Sequence, residues 1–147
     1  MNQQTIYNAN SFCLLTVCLI LIGAFYFQFA LHEDPCPLCL LQRMAMLGVI
    51  LGLSMNTKIG IKTEHFGMVI IAAMVGSIFS IRQVLLHICP IPGEPTGYGS
   101  PFLGMHIYSW GVLIFAASII GSAIFLFFMR HANLDSQRIP SGFEKFA

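Results

Sequence analysis

Charge is what this sequence has least of: 147 residues carry 7 Lys and Arg and 6 Asp and Glu, 9% of the chain. A net charge of +1 offers no basic surface for nucleic acid, and no run of like charges marks a solvated tail. Internal repeats, low-complexity stretches and linkers long enough to separate domains are also missing, so residues 1–147 are expected to form a single domain. What is present instead is apolar. Hydrophobic residues make up 56% of the chain, well above a soluble domain of this length, and the sequence reads as an integral membrane protein.

Four runs are long enough to cross a hydrocarbon core about 30 Å thick, which takes roughly 17 to 25 helical residues. They lie near Ser11–Leu31, Leu40–Asn56, Phe66–Ile88 and Ile107–Met129. The runs are continuously apolar and lack the in–out alternation of barrel strands. Lipid offers the backbone no hydrogen-bond partners, so each run should be helical, and the fold class is an all-α membrane four-helix bundle. The first run has neither the basic n-region nor the small-residue cleavage site before His32 that a cleaved signal peptide carries, and it reads as a span.

Orientation follows from the cations. Lys58 and Lys62 flank the turn between the second and third spans, and Arg130, Arg138 and Lys145 follow the fourth. The positive-inside rule places these ends, and both termini, in the cytoplasm. The opposite connections hold Glu33, Asp34 and Glu94 and no Lys or Arg, so they face outward. Tyr108 and Trp110 suit an aromatic belt at the membrane boundary.

One of those outward connections contains Cys36-Pro37-Leu38-Cys39. Outside a bacterial membrane disulfides form and persist, so a Cys36–Cys39 disulfide fits the compartment. A static staple is one reading, but closing so small a loop removes little chain entropy. The other reading is a redox-active pair. Its attacking form is the thiolate, favoured beside a cation or at a helix N-terminus. Cys39 falls where the second helix should begin, and Arg43 follows at i+4 on the same face. Cys39 is then the stabilised thiolate, and Cys36, further into the loop, the sulfur that meets an external thiol. An arginine inside a membrane run usually marks function, although one so near a helix end can snorkel to the headgroups. Arg82, followed by Gln83 and His87, raises the same question in the third span, at the depth of the dithiol.

Pro35–Arg43 (PCPLCLLQR), Arg82–His87 (RQVLLH) and Phe102-Leu103-Gly104 with Trp110 together resemble the disulfide bond formation protein B family of quinone-linked membrane oxidases. The likeness extends over nearly the whole chain. It implies a bacterial inner-membrane thiol:disulfide oxidoreductase that reoxidises a soluble thioredoxin-like dithiol oxidase and passes electrons to ubiquinone or menaquinone in the membrane pool. By position, the redox roles fall on Cys36 and Cys39, and quinone binding on Arg43, Arg82 and His87. The active site would lie on the periplasmic, outer face.

One departure stands out. The family commonly has a second cysteine pair in the outer loop between the third and fourth spans, and here only Cys89 occupies that region. Cys13 and Cys18 cannot substitute, because about 20 helical residues at 1.5 Å rise put Cys13 near the opposite face; they read as small packing residues. The resemblance is thus to a short form that lacks the second pair, which implies a soluble partner that attacks the first pair directly; Cys89 is open to a mixed disulfide with Cys36, a relay of electrons from a partner, or simple burial. The loop itself, with Pro90, Pro92, Gly93, Pro95, Gly97, Gly99 and Pro101, disfavours helix and strand. His32 and His106 read as interfacial or loop residues, and His87 has that alternative too.

Other functional classes remain open at this level. Cys36, Cys39 and Cys89 with His32 or His87 are suitable ligands for zinc or copper(I), which would make the chain a soft-metal membrane module. Arg43 argues against it, since a cation disfavours a second cation. A vitamin K epoxide reductase-like enzyme would be expected to carry a loop cysteine pair, which is lacking. A purely structural membrane protein would function without regard to redox state.

Overall fold

The computed structural model describes residues 3–30, 32, 36–89, 92, 101–102 and 104–132. Among them run four α-helices: α1 (Gln3–Ala30), α2 (Pro37–Lys58), α3 (Thr63–Ile88) and α4 (Ile107–Ala132). They contain 28, 22, 26 and 26 residues. At about 1.5 Å per residue each reaches across a core of about 30 Å, and each is apolar enough to do so. The all-α membrane bundle expected from hydropathy is the fold observed.

Helix ends differ from the apolar runs because hydropathy marks where lipid contact starts, not where the hydrogen-bonded ladder starts. α1 begins at Gln3 rather than near Ser11, because its first turns bury Ile6 and Asn10 inside the bundle. α2 begins at Pro37 rather than Leu40. Proline suits the first helical position, where its missing N–H would have no intrahelical acceptor. Between α2 and α3 the chain reverses within four residues, and Gly60 adopts φ +105°, a conformation that only glycine takes cheaply.

Helix α3 is the centre of the assembly, packed against α2 on one side and α4 on the other, while α1 lies against α2. The main core joins Val17 and Leu21 of α1, Val49 and Leu53 of α2, Val69 and Ala73 of α3, and Phe115 of α4. Lipid is as apolar as these side chains, so their value lies in close packing rather than escape from water. Small residues permit the approach. A Cβ added at Gly52 would lie 2.6 Å from Val69 Cγ2, and one at Gly76 would enter the Phe115 ring. Phe115 is fully buried. Gly76→Val should therefore lower resistance to unfolding in a mixed detergent titration by about 1–3 kcal/mol. Gly67→Val is the matched control, since nothing lies within 4 Å of its Cβ position.

The end of the bundle that holds the α2–α3 turn contains a second small core of Ile6, Phe66 and Met129 and a buried polar cluster. Asn10 Nδ2 donates to the Leu53 carbonyl at 3.0 Å, and Asn56 Nδ2 to Asn10 Oδ1 at 3.2 Å. Asn56 Oδ1 in turn accepts from the Lys62 backbone N–H at 3.3 Å and from His65 Nδ1 at 3.0 Å. One asparagine side chain thereby ties α1, α2, α3 and their turn together.

The connection before α4 departs from expectation. Pro101–Phe102 (β1) and Met105–His106 (β2) form a short antiparallel ladder, pairing Pro101 with His106 and Phe102 with Met105. Gly104, at φ +80°, supplies the left-handed residue that the reversal needs. Apart from Pro92, the rest of the Pro/Gly-rich loop, including Glu94, lies outside the described residues, as do Glu33, Asp34, Arg138 and Lys145.

Candidate functional site

Helix α2 is started by Cys36 itself. As N-cap it has extended backbone (φ −68°, ψ 156°), and its Sγ accepts the N–H of Cys39 at 3.2 Å. A sulfur here does what Ser or Asp oxygens usually do, satisfying an N–H that has no intrahelical acceptor. The turn that results brings the two sulfurs to 2.8 Å. A disulfide bond is roughly 2.05 Å long, so closing one between these sulfurs would need only small movements.

Exposure runs opposite to the sequence expectation. Cys36 is only 5% exposed, whereas Cys39 is half-buried. Capping explains this, since folding the Cys36 side chain back over the first turn covers it. The hydrogen bond with Cys39, together with burial, pushes the Cys36 thiol above the ordinary thiol range. In the reduced pair Cys36 is the sulfur that keeps its proton.

Beneath the sulfurs lies Gln83 of α3. Its Nε2 donates to Cys36 Sγ at 3.2 Å and to Cys39 Sγ at 3.1 Å, while its Oε1 accepts from Gln42 Nε2 at 2.6 Å. Both glutamines are 6% exposed. Nothing in the sequence ranked Gln83 above its charged neighbours. The available signal was uncharged: Gln42 and Gln83 are amides inside apolar runs, where a side-chain polar group needs a partner.

Arg43 is half-buried and turns toward α1. One guanidinium nitrogen donates to Gln28 Oε1 and the other to the Ala24 carbonyl at 3.0 Å, and the group stands 5.2 Å from the Phe25 ring centroid. It is thus fixed between α1 and α2 rather than hydrogen-bonded to either sulfur. Arg82, next to Gln83 in the chain, is exposed. His87 is exposed too, with its ring 4.8 Å from that of His106, a pairing that sequence reading did not anticipate. Cys89 is exposed and caps α3, its N–H bonded to the Leu85 carbonyl at 2.8 Å. Cys13 packs against the main core. The ligand set of the soft-metal reading does not assemble: among the described residues no three His, Cys, Asp or Glu side chains converge.

Three comparisons bear on this arrangement. Residues 8–125 match the family model described as "Disulfide bond formation protein DsbB". "Disulfide bond formation protein B 1" of Pseudomonas fluorescens Pf-5 is 30% identical over 136 residues, covering 71% of this chain and 80% of that protein. "Disulfide bond formation protein B" of Chromobacterium violaceum is 35% identical over 116 residues, covering 74% and 69% respectively. A shorter match, 45% over 65 residues, relates the chain to the protein of the same name in Pseudomonas syringae pv. tomato. No solved structure matches. Four membrane-length helices, a CxxC capping the second of them and a match over most of the chain agree: this multi-pass membrane protein belongs to the disulfide bond formation protein B family and is a disulfide oxidoreductase.

Proposed function

We propose that the chain reoxidises a soluble thioredoxin-like dithiol oxidase and delivers the electrons to a membrane quinone, ubiquinone or menaquinone. It sits in the bacterial inner membrane with both termini cytoplasmic and the Cys36–Cys39 pair at the periplasmic face. The observation that carries this reading is the 2.8 Å approach of two sulfurs at the start of a membrane helix.

The reaction begins with the disulfide form. A thiolate of the reduced partner attacks Cys36 Sγ, a bond forms between the two proteins, and the Cys36–Cys39 bond breaks with its electron pair leaving on Cys39. The buried position of Cys36 requires the partner to uncover that sulfur as it docks. The partner's second thiolate then attacks its own sulfur in the mixed disulfide, so the partner departs oxidised and Cys36 leaves as thiolate and takes up a proton. The chain now holds the two electrons of a dithiol.

Arg43 and its surroundings fit a quinone. A cation held between α1 and α2 one turn after Cys39, beside the Phe25 ring, suits a flat apolar ring bearing carbonyl oxygens. Arg43 would hold an oxygen, with Phe25 against the ring and His87 and Arg82 nearer the outer end of α3. The quinone, when bound, accepts two electrons and two protons and leaves as quinol. The helix N-terminus keeps charge on Cys39 while the pair is open.

The test is quinone-dependent reoxidation of a reduced thioredoxin-like partner by the purified chain in detergent. Cys89→Ser should retain activity, because a single pair suffices; loss of activity in that variant would refute direct attack on the first pair. Arg43→Ala should raise the KM for quinone by about tenfold or more while leaving disulfide exchange with the partner intact, as loss of a charged hydrogen bond predicts. An unchanged quinone KM would remove Arg43 from the binding site.

A further inference from the structure

Gln83 is the side chain that contacts both redox sulfurs, and the oxidase reading assigns it nothing. Its amide has a sense. With Oε1 turned to Gln42 Nε2, Nε2 faces both sulfurs; the reverse orientation would present an oxygen to sulfur lone pairs. Gln42 has a sense as well. Its Oε1 and the Ser80 hydroxyl both border Gly111, lying 3.1 Å and 2.9 Å from where a Cβ there would stand. Ser80 Oγ is fully buried and has no hydrogen-bond partner among the described residues, so it stands near the Gln42 amide without bonding it, and the sense of Gln42 is set by its Nε2 donating to Gln83. A side chain at Gly111 would crowd both groups.

We infer that Gln83 is a catalytic residue whose Nε2 holds the sulfur released when the Cys36–Cys39 disulfide opens, and that Gln42 is a positioning residue that keeps the amide in its donating sense. The proposal rests on the redox reading of the pair but on neither the quinone nor the partner. When a thiolate bonds to Cys36 Sγ, the electron pair of the broken bond goes to Cys39, and Gln83 already bridges both atoms. It follows the charge from one sulfur to the other without moving. A donor to a charged acceptor contributes more than one between neutral groups, and a low-dielectric site strengthens it further. Few charges compete. Arg43 on α2 is engaged with α1, Arg82 on α3 is exposed, α1 has no charged residue, and α4 has only Arg130, near its far end.

The geometry also predicts the state that is favoured. Gln83 stabilises the open pair over the disulfide, which makes the couple more oxidising. That can be read without quinone or partner. The full chain, with Cys13, Cys18 and Cys89 replaced by Ala, is equilibrated in detergent with reduced and oxidised glutathione, and thiolate is followed by its ultraviolet absorbance. Gln83→Met removes the donor at similar volume. It should shift the equilibrium about ten- to a hundredfold toward the disulfide and lower the thiolate absorbance at neutral pH. Gln42→Met should shift it the same way by about threefold, and should add nothing in the Gln83→Met background, since residues acting through one contact are not additive. An equilibrium within twofold of wild type for Gln83→Met overturns the assignment. A Gln42→Met effect that persists at full size without Gln83 overturns the positioning role.

A wild-type measurement guards against a variant that fails to fold. The Gln83 side-chain amide signal in a ¹⁵N-labelled chain should move when the pair is reduced, and an unmoved signal also overturns the proposal. Should the oxidase reading fail, quinone-dependent turnover is lost while these shifts remain; should only this inference fail, turnover stands and the shifts are absent.

Discussion

Cys39→Ser should abolish quinone-dependent oxidation of the soluble partner, by on the order of a thousandfold or more, and should trap the oxidised form of the partner as a mixed disulfide on Cys36. Both effects follow from one bond. The Cys36 and Cys39 sulfurs stand 2.8 Å apart, and no other cysteine among the described residues hydrogen-bonds to either. In Cys39→Ser the remaining Cys36 thiolate can attack the disulfide of the oxidised partner, forming the mixed disulfide as the partner's other sulfur leaves as a thiolate, but the chain has no internal sulfur to continue the transfer. Cys36→Ser should be equally inactive without forming that adduct at the first pair. Non-reducing electrophoresis of each variant incubated with the oxidised partner separates the two. Adduct on Cys39 in Cys36→Ser, and none on Cys36 in Cys39→Ser, would reverse the roles of the two sulfurs and would accord with the greater exposure of Cys39.

The second large effect is on stability, at the other end of the bundle. Asn56→Leu should cost about 2–4 kcal/mol in detergent unfolding while leaving the exchange chemistry of the CxxC little changed in the folded protein. Asn56 is fully buried and its side chain makes three hydrogen bonds. Leucine would leave Asn10 Oδ1, the Lys62 N–H and His65 Nδ1 without their partner. Asn56→Asp, which keeps the acceptor but not the donor, should be damaged less when its carboxyl is protonated. Along α2, Asn56 is 17 residues from Cys39, roughly 25 Å at 1.5 Å per residue, so the two sites should separate cleanly in measurement. A variant that unfolds like wild type would make this cluster ornamental, and one that loses thiol exchange while still folded would tie it to the redox site.

Fold class was legible because lipid leaves so few choices. Four continuous apolar runs of sufficient length must satisfy their own backbone bonds, and helices do so locally, whatever the neighbours are. The approach of the two cysteines was legible for a similar reason: Cys36 and Cys39 are three residues apart, so a single turn of helix brings them together with no tertiary contact required. Arg43 was noticed as a charge in a membrane run, but the direction of its side chain was not. Spacing from Cys39 put both on one helical face, and only the packing of α1 shows that Gln28, Ala24 and Phe25 claim the guanidinium. Arg82, the charge in the third run, is exposed, a property that its position in the run did not fix.

The sequence by itself determined the membrane class, the number of spans and the local dithiol, all of them properties of segments shorter than about 30 residues. Tertiary structure decided what surrounds that dithiol. Gln42 and Gln83 are separated by 41 residues, and Asn10 and Asn56 by 46. No periodicity or spacing within a run encodes such a meeting, because it depends on which helix faces are pressed together. Those faces are set by small residues such as Gly52 and Gly76 that let the backbones approach, and the buried amides must then pair because lipid and packed side chains give them nothing else to bond.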